Sequence, residues 1–196
     1  VERVEYDYPE YTGYLDREEK PGDIKAIEGT RVTVHARANG PIKEAHVDFD
    51  ADGRRELTMQ SRNANAAASF VLALREDRRT PEHASYVLRF TNQDGRANRS
   101  PVKHSIVVEP DYAPEASIIA PREKLLDVRL GDTVAIEVEA RDPDFALSSV
   151  RLRGQVQGRD TLDVPLLKNN HNGPFSSRYQ FKPSEHGLKA GDVVDY

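Results

Sequence analysis

The 196-residue chain has no cysteine and no tryptophan, and aromatics make up only 7% of it. Without thiols, neither a disulfide framework nor a thiolate metal site can form, although this leaves the redox compartment open. No apolar run approaches the length of a membrane span, and no signal-peptide pattern is present. The chain opens in sequence that already reads as folded, so we expect a piece of a longer protein, and missing targeting signals carry no information. A basic surplus is also missing. Lys and Arg number 28 against 33 Asp and Glu, a formal charge of -5. The short pairs Arg54-Arg55 and Arg78-Arg79 are interleaved with acids, so there is no electrostatic footprint for nucleic acid. Nucleophile elbows, His-Glu-x-x-His, Gly-rich phosphate loops and a Gly-x-Gly-x-x-Gly after a strand are all absent. The six histidines are scattered, no two of them three or four residues apart. These absences predict a chain that is not an enzyme. Glycoside hydrolysis, which runs on two carboxylates, is the class they exclude least, but domains of this size have little room for an aromatic-lined cleft.

What is present is alternation, and it repeats. In Ile27 to Ala38 the apolar residues Val32, Val34, Ala36 and Ala38 fall on every second position, the signature of a half-buried strand. The same pattern returns in Leu130 to Ala140, with Gly29 matching Gly131, Val34 matching Ile136 and Ala36 matching Val138, at a constant offset of 102 residues. That offset is about the length of one immunoglobulin-like domain, and it predicts two domains. The fold expected is all-β: two tandem immunoglobulin-like (fibronectin III or cadherin-like) β-sandwiches over 1–110 and 111–196. The Pro110-to-Pro114 segment between them reads as a short stiff linker that limits their relative freedom.

Further alternating runs fill in both domains. Val4, Tyr6 and Tyr8 predict an entering edge strand, followed by turns at Pro9 to Gly13 and at Pro21-Gly22. Ile42 to Asp50 and Leu57 to Met59 flank Asp52-Gly53, which predicts a hairpin with both turn residues at positive φ. Residues 60–69 read as loop or edge and 70–74 as strand. At most one helical turn is expected between Arg75 and Ser85. Tyr86, Leu88 and Phe90 face inward, with Tyr86 where sandwiches carry a corner tyrosine bonded back to the backbone. Asn92 to Gly95 is a turn, and Ser105 to Glu109 closes the domain. Strands follow at 116–120, 150–156, 162–166, 175–181 and from Val193. Measured against the first domain, the second is expected to lack its last strands. A longer tail, a cut through the domain, or a strand supplied by another chain would each account for this.

Three features invite a functional reading. Asp48-x-Asp50-x-Asp52-Gly53 matches the first half of a calcium loop, but its twelfth position is Met59 rather than a bidentate glutamate, and its flanks are strand-like. Asp142-Pro143-Asp144 resembles inter-domain calcium ligands and equally an Asx-stabilised turn. Asp48, Asp50, Asp52, Asp142 and Asp144 are therefore the candidate metal residues, for calcium. No catalytic residue and no other cofactor is expected. Tyr6, Tyr8, Tyr11 and Tyr14 suit either a sugar-stacking platform or a cover for the open end of the first sandwich. His171 reads as part of a solvated polar loop.

Tyr8-Pro9-Glu10-Tyr11-Thr12-Gly13-Tyr14 is followed by Gly22-Asp23-Ile24-x-Ala26-Ile27-x-Gly29-Thr30-x-Val32. The second domain carries Ala140-Arg141-Asp142 before Leu147-x-x-Val150, and Leu188-x-x-Gly191-Asp192-Val193-Val194-x-Tyr196. Together these motifs resemble the Ig-like repeat region of large membrane-anchored bacterial envelope proteins of unknown function. The resemblance implies an extracytoplasmic location, in the periplasm or at the cell surface, with contact to the membrane only through the parent protein. It carries over no catalytic residue. The combined expectation is a structural spacer or protein-interaction module whose partners are other proteins or other domains of the same chain. A carbohydrate- or calcium-binding module is the first alternative and a glycoside hydrolase-associated or hydrolase domain the second.

Overall fold

A computed structural model of the chain describes residues 1–20 and 22–196. The fold is all-β, with 50% of residues in strands and 4% helical. No helix among the described residues is long and apolar enough to cross a membrane. The chain divides into two compact units, Val1–Asp111 and Tyr112–Tyr196.

Unit 1 contains β1 (Arg3–Asp7), β2 (Arg17–Glu19), β3 (Ile24–Ile27), β4 (Arg31–Arg37), β5 (Ile42–Phe49), β6 (Leu57–Thr58), β7 (Gln60–Arg62), β8 (Asn65–Val71), β9 (Ser85–Asn92) and β10 (Lys103–Glu109). They form two five-stranded sheets, in the orders β2-β1-β4-β8-β7 and β3-β10-β9-β5-β6. Alternation explains how the sheets meet. Val32, Val34 and Ala36 of β4 are buried while Arg31 and Arg37 are exposed. The buried residues of both sheets, among them Val4, Val34 and Ala66 from one and Ile24, Val47, Leu88 and Ile106 from the other, join in a single core. Each fully buried valine or isoleucine contributes roughly 1.5–3 kcal/mol relative to exposure. An all-β layering with one shared core fits a β-sandwich.

Several local expectations are corrected. β1 is not an edge strand, because the short β2 pairs along its outer side with Tyr6 opposite Arg17. Residues 65–69 are not loop: β8 begins at Asn65 and pairs with β4 along its whole length, Ala66 and Ala68 facing the core. Alanine is a weak strand former, so this alternation of small residues is quiet in the sequence. The hairpin after β5 does not turn tightly at Asp52-Gly53. Asp50 (φ +57°), Ala51 (φ +59°) and Gly53 (φ +89°) take the positive-φ positions, and the ladder to β6 starts only at Val47 opposite Leu57. Met59, the misfit of the calcium pattern, is a core residue. Its N–H donates to the Ala45 carbonyl (2.9 Å) where the chain crosses from one sheet to the other. No helical turn forms between Arg75 and Ser85. The turn expected at Pro21-Gly22 rests in part on Pro21, which lies outside the described residues.

Unit 2 contains β11 (Glu115–Ala120), β12 (Val134–Arg141), β13 (Val150–Val156), β14 (Arg159–Leu167), β15 (Phe175–Phe181) and β16 (Val194–Asp195). Two three-stranded sheets result, β11-β12-β15 and β14-β13-β16. β13 and β14 are joined by Gln157-Gly158, both at positive φ, in a two-residue hairpin. Ile136, Val138, Leu152, Leu162 and Phe181 make the core. β12, the sequence echo of β4, lies between β11 and β15 as β4 lies between β1 and β8.

Candidate functional site

The acidic turn after β5 draws together a different set of carboxylates from the one its spacing suggests. Oxygens of Asp48, Asp52 and Glu56 lie within 4.8 Å of one another. Asp50 is not among them: its left-handed backbone swings the side chain away, and Oδ1 accepts the N–H groups of Ala84 (2.9 Å) and Ser85 (3.1 Å). Those bonds, opposed by partial burial, hold its carboxyl below the usual range. Glu56, which the sequence pattern does not single out, joins because the widened turn brings it back beside β5.

Most oxygens of the trio are already committed. Asp48, fully buried, takes the Arg89 Nε–H at 2.9 Å on Oδ2 and the Gly53 N–H at 3.1 Å on Oδ1. Glu56 Oε2 accepts the Phe49 N–H (3.0 Å), and Asp52 Oδ1 accepts the Arg54 N–H (2.9 Å). A calcium ion wants six or more oxygens, and here it would have to compete with these donors for the few that three carboxylates offer. The arrangement as it stands is a turn braced by one buried charge pair. The second acidic turn is also structural, held by backbone N–H groups rather than by a charge pair. Asp142 Oδ1 accepts the N–H groups of Asp144 (3.0 Å) and Phe145 (2.9 Å), an Asx turn, while Asp144 Oδ2 accepts the Tyr112 N–H (2.8 Å).

A serine, a histidine and an aspartate do meet, at the start of β9. The Asp50 carboxylate stands between the Ser85 hydroxyl (3.5 Å) and His83 Nδ1 (3.5 Å). A nucleophilic triad needs the imidazole between serine and carboxylate, so this order cannot pass the serine proton to histidine. His83 instead stacks on Phe49 with ring centres 4.0 Å apart. Among the described residues His171 meets no carboxylate, and its Nε2 lies 2.9 Å from the Pro174 carbonyl.

The N-terminal tyrosines pack chiefly on one another. Tyr6 is buried, with its ring 6.3 Å from Tyr8, and Tyr14 meets Tyr8 edge-on at 5.4 Å. The Arg17 guanidinium lies over Tyr6 at 4.7 Å and over Tyr8 at 5.8 Å, so a sugar ring would compete for these faces with a resident cation. Tyr11 reaches Asp111 with its hydroxyl (2.5 Å).

Each unit carries concave surface as well. In unit 2 a cleft of about 610 Å³ is lined by apolar residues including Leu126, Ile136, Leu162, Phe181 and Val194. In unit 1 a cleft of about 510 Å³ opens between the β4–β5 connection (Arg37 to Ile42) and the turn after β9 (Asn92 to Asn98). The second is the more polar. Its walls bring Arg37 and Arg96 to one cleft from positions 59 residues apart in the chain, a juxtaposition with no local signal in the sequence. The chain matches no protein-family model, and no curated protein is similar to it at a significant level.

Proposed function

We propose that the chain is a non-enzymatic, extracytoplasmic pair of immunoglobulin-like modules, serving as a spacer and protein-interaction segment of a larger envelope protein. The observation that carries the reading is strand order. In unit 1 the orders β1-β4-β8-β7 and β10-β9-β5-β6 follow the A-B-E-D and G-F-C-C′ pattern of immunoglobulin-like sandwiches, with β3 adding parallel to β10. The orders β11-β12-β15 and β14-β13-β16 in unit 2 follow A-B-E and C′-C-F. Such frames present their variable chemistry in end loops, and the polar cleft of unit 1 lies between two of these, B–C and F–G.

The electrostatics favour binding over catalysis. Every carboxylate with a resolved shift (Glu5, Asp23, Asp50, Asp77 and Asp163) is lowered, held as the anion by hydrogen-bond donors. A glycosidase acid needs the opposite, a carboxyl raised by an apolar pocket. The envelope location rests on the motif resemblance alone.

Site-specific photocrosslinking in a bacterium that carries the parent protein tests the reading. A photoreactive residue at Asn39 or Asp94 is expected to capture one discrete protein, whereas one at Arg159 of unit 2 captures none. External protease is expected to cleave the chain in spheroplasts. Cleavage only after the inner membrane is broken, or turnover of a glycoside and ester panel by the purified chain, sinks the proposal.

A further inference from the structure

The cleft at the loop end of unit 1 is built rigidly and left electrically unsatisfied. One wall is tied down by Ala38 N–H to the Ala64 carbonyl and Ile42 N–H to the Asn63 carbonyl, both 2.8 Å. The other is a closed turn. Asn92 N–H donates to the Arg96 carbonyl (3.0 Å), and Arg96 N–H donates to Asn92 Oδ1 (2.8 Å). Asn98 accepts the Phe90 N–H on Oδ1 (3.0 Å) and donates Nδ2–H to the Leu88 carbonyl (2.8 Å). Gln93 Nε2 bridges the two walls through the Ile42 carbonyl (3.3 Å). These bonds hold the shape, so a ligand would find it preorganised.

The charges are not consumed. Arg3, Arg17, Arg55, Arg78 and Arg89 of unit 1 each sit on a carboxylate. Among the described residues, the guanidinium groups of Arg37 and Arg96 have no such partner, as is true of Arg31, Arg62, Arg75, Arg79 and Arg99, and what sets these two together is the cleft. Both are exposed and both line the cleft, where one acid, Asp94, stands with them. On a chain of charge -5 this is a local excess of positive charge beside the partly apolar floor of Ile42 and Phe90. Guanidinium is suited to bidentate binding of carboxylate.

From this geometry we infer that the cleft takes an acidic, extended peptide segment of a protein partner, its carboxylates on Arg37 and Arg96 and an intervening apolar side chain toward Ile42 and Phe90. This deepens the interaction-module reading and rests on it.

The test is an NMR titration of the ¹⁵N-labelled full chain with the blocked peptide Glu-Leu-Glu-Val-Glu, set against its Gln-Leu-Gln-Val-Gln counterpart. The acidic peptide is expected to shift the amides of residues 38–40, 42 and 92–98, with a dissociation constant of about 1 mM, in the weak range for a short flexible ligand. The Gln peptide should leave them in place. The double substitution Arg37→Gln/Arg96→Gln is expected to weaken binding at least about tenfold, as loss of charge-assisted contacts requires. Arg159→Gln in unit 2 should not change it. Equal shifts with both peptides, no shifts, shifts spread over the basic surface, or unchanged affinity in the double variant each overturn the inference. A discrete photocrosslink from Asn39 or Asp94 combined with a silent titration would overturn this ligand class and leave the interaction module standing.

Discussion

Replacing Asp48 tests whether the acidic turn is a brace or a metal site. The carboxylate is wholly buried on β5, and Arg89, whose side chain is 35% exposed, is its charged partner at 2.9 Å. Truncation to alanine removes a charge-assisted hydrogen bond of about 1.5–3 kcal/mol. The full penalty for stranding a buried charge does not apply, because a guanidinium this exposed can turn to water. The Gly53 N–H, on an exposed turn, can do the same. We therefore expect Asp48→Ala to cost unit 1 roughly 2–3 kcal/mol, a fall in melting temperature of about 10 °C. Asp48→Asn should cost nearly as much despite its shape, since an amide must point N–H at either Arg89 or Gly53. Adding Arg89→Ala to Asp48→Ala should cost less than the two single losses together, as a coupled pair requires. Because two units need not unfold together, urea titration should be followed through the NMR cross-peaks of β5 and β9, with those of β13 as the internal reference. A loss below about 0.5 kcal/mol, the ordinary range for surface substitutions, would refute the brace. So would stabilisation of the wild-type chain by about 2 mM calcium that Asp48→Asn abolishes, since a ligand that binds only the folded state must raise stability.

The remaining predictions concern the tyrosine clasp and two titrations. Tyr86→Phe removes the hydroxyl that donates to the Gly22 carbonyl (2.5 Å) and should cost about 1 kcal/mol while speeding amide exchange at Asp23 and Ile24. Burial lowers the pKa of His104 below its ordinary 6.5, as it does for His46. The unfolded chain then takes up protons first, so stability is full above pH 6.5, declines as pH falls toward the lowered folded pKa and levels off beneath it. His104→Phe should flatten that decline in pH-dependent melting, and an unchanged slope would show that this histidine is not its source. Asp77 has its carboxyl lowered to about 2 by the Thr80 hydroxyl, the Thr80 N–H and the Arg79 N–H. Its contribution is present above 3.8 and lost as pH falls through about 2. A carboxyl NMR titration should find it there, and Thr80→Ala should move it back toward 3.8.

The strands of strongest alternation were legible. Ile27 to Ala38 announces β4, and its copy announces β12, because valine and isoleucine on every second residue have few other ways to be buried. The edges were less so. β2 is three charged residues, Arg17–Glu19, held by the open ladder of β1 and by Arg17 over Tyr6, and nothing in its own composition asks for a strand. β8 was hidden by its alanines, whose small side chains bury little area and so write a faint pattern. Turn chemistry misled in one place. Asp-Gly is a strong hairpin signal, yet Asp50 and Ala51 take the left-handed positions, because Asp50 is bound to Ala84 and Ser85 from a segment 34 residues away.

The same contrast explains why the candidate site resists reading from sequence. A motif such as Asp48-x-Asp50-x-Asp52-Gly53 is local, and its atoms fall to the nearest local demand: one carboxylate on Arg89, another on a neighbouring strand end, a third on its own turn. Residues spaced to look like ligands are thereby spent as structure. The Arg37–Arg96 cleft is the reverse case. Neither arginine belongs to a motif, and the two walls are brought together by the pairing of β5 with β9, in which Ile42 stands opposite Asn92, and by the Gln93 bond to the Ile42 carbonyl. That pairing brings the β4–β5 connection and the turn after β9 to the same end of the sheet. A slip of one residue would send the side chains of one wall to the opposite face and dissolve the cleft, while Asp48 would lose Arg89 at the same stroke. Both the braced turn and the proposed binding site hang on the β5–β9 ladder, so conditions that melt it should abolish peptide binding and the Asp48 pair together.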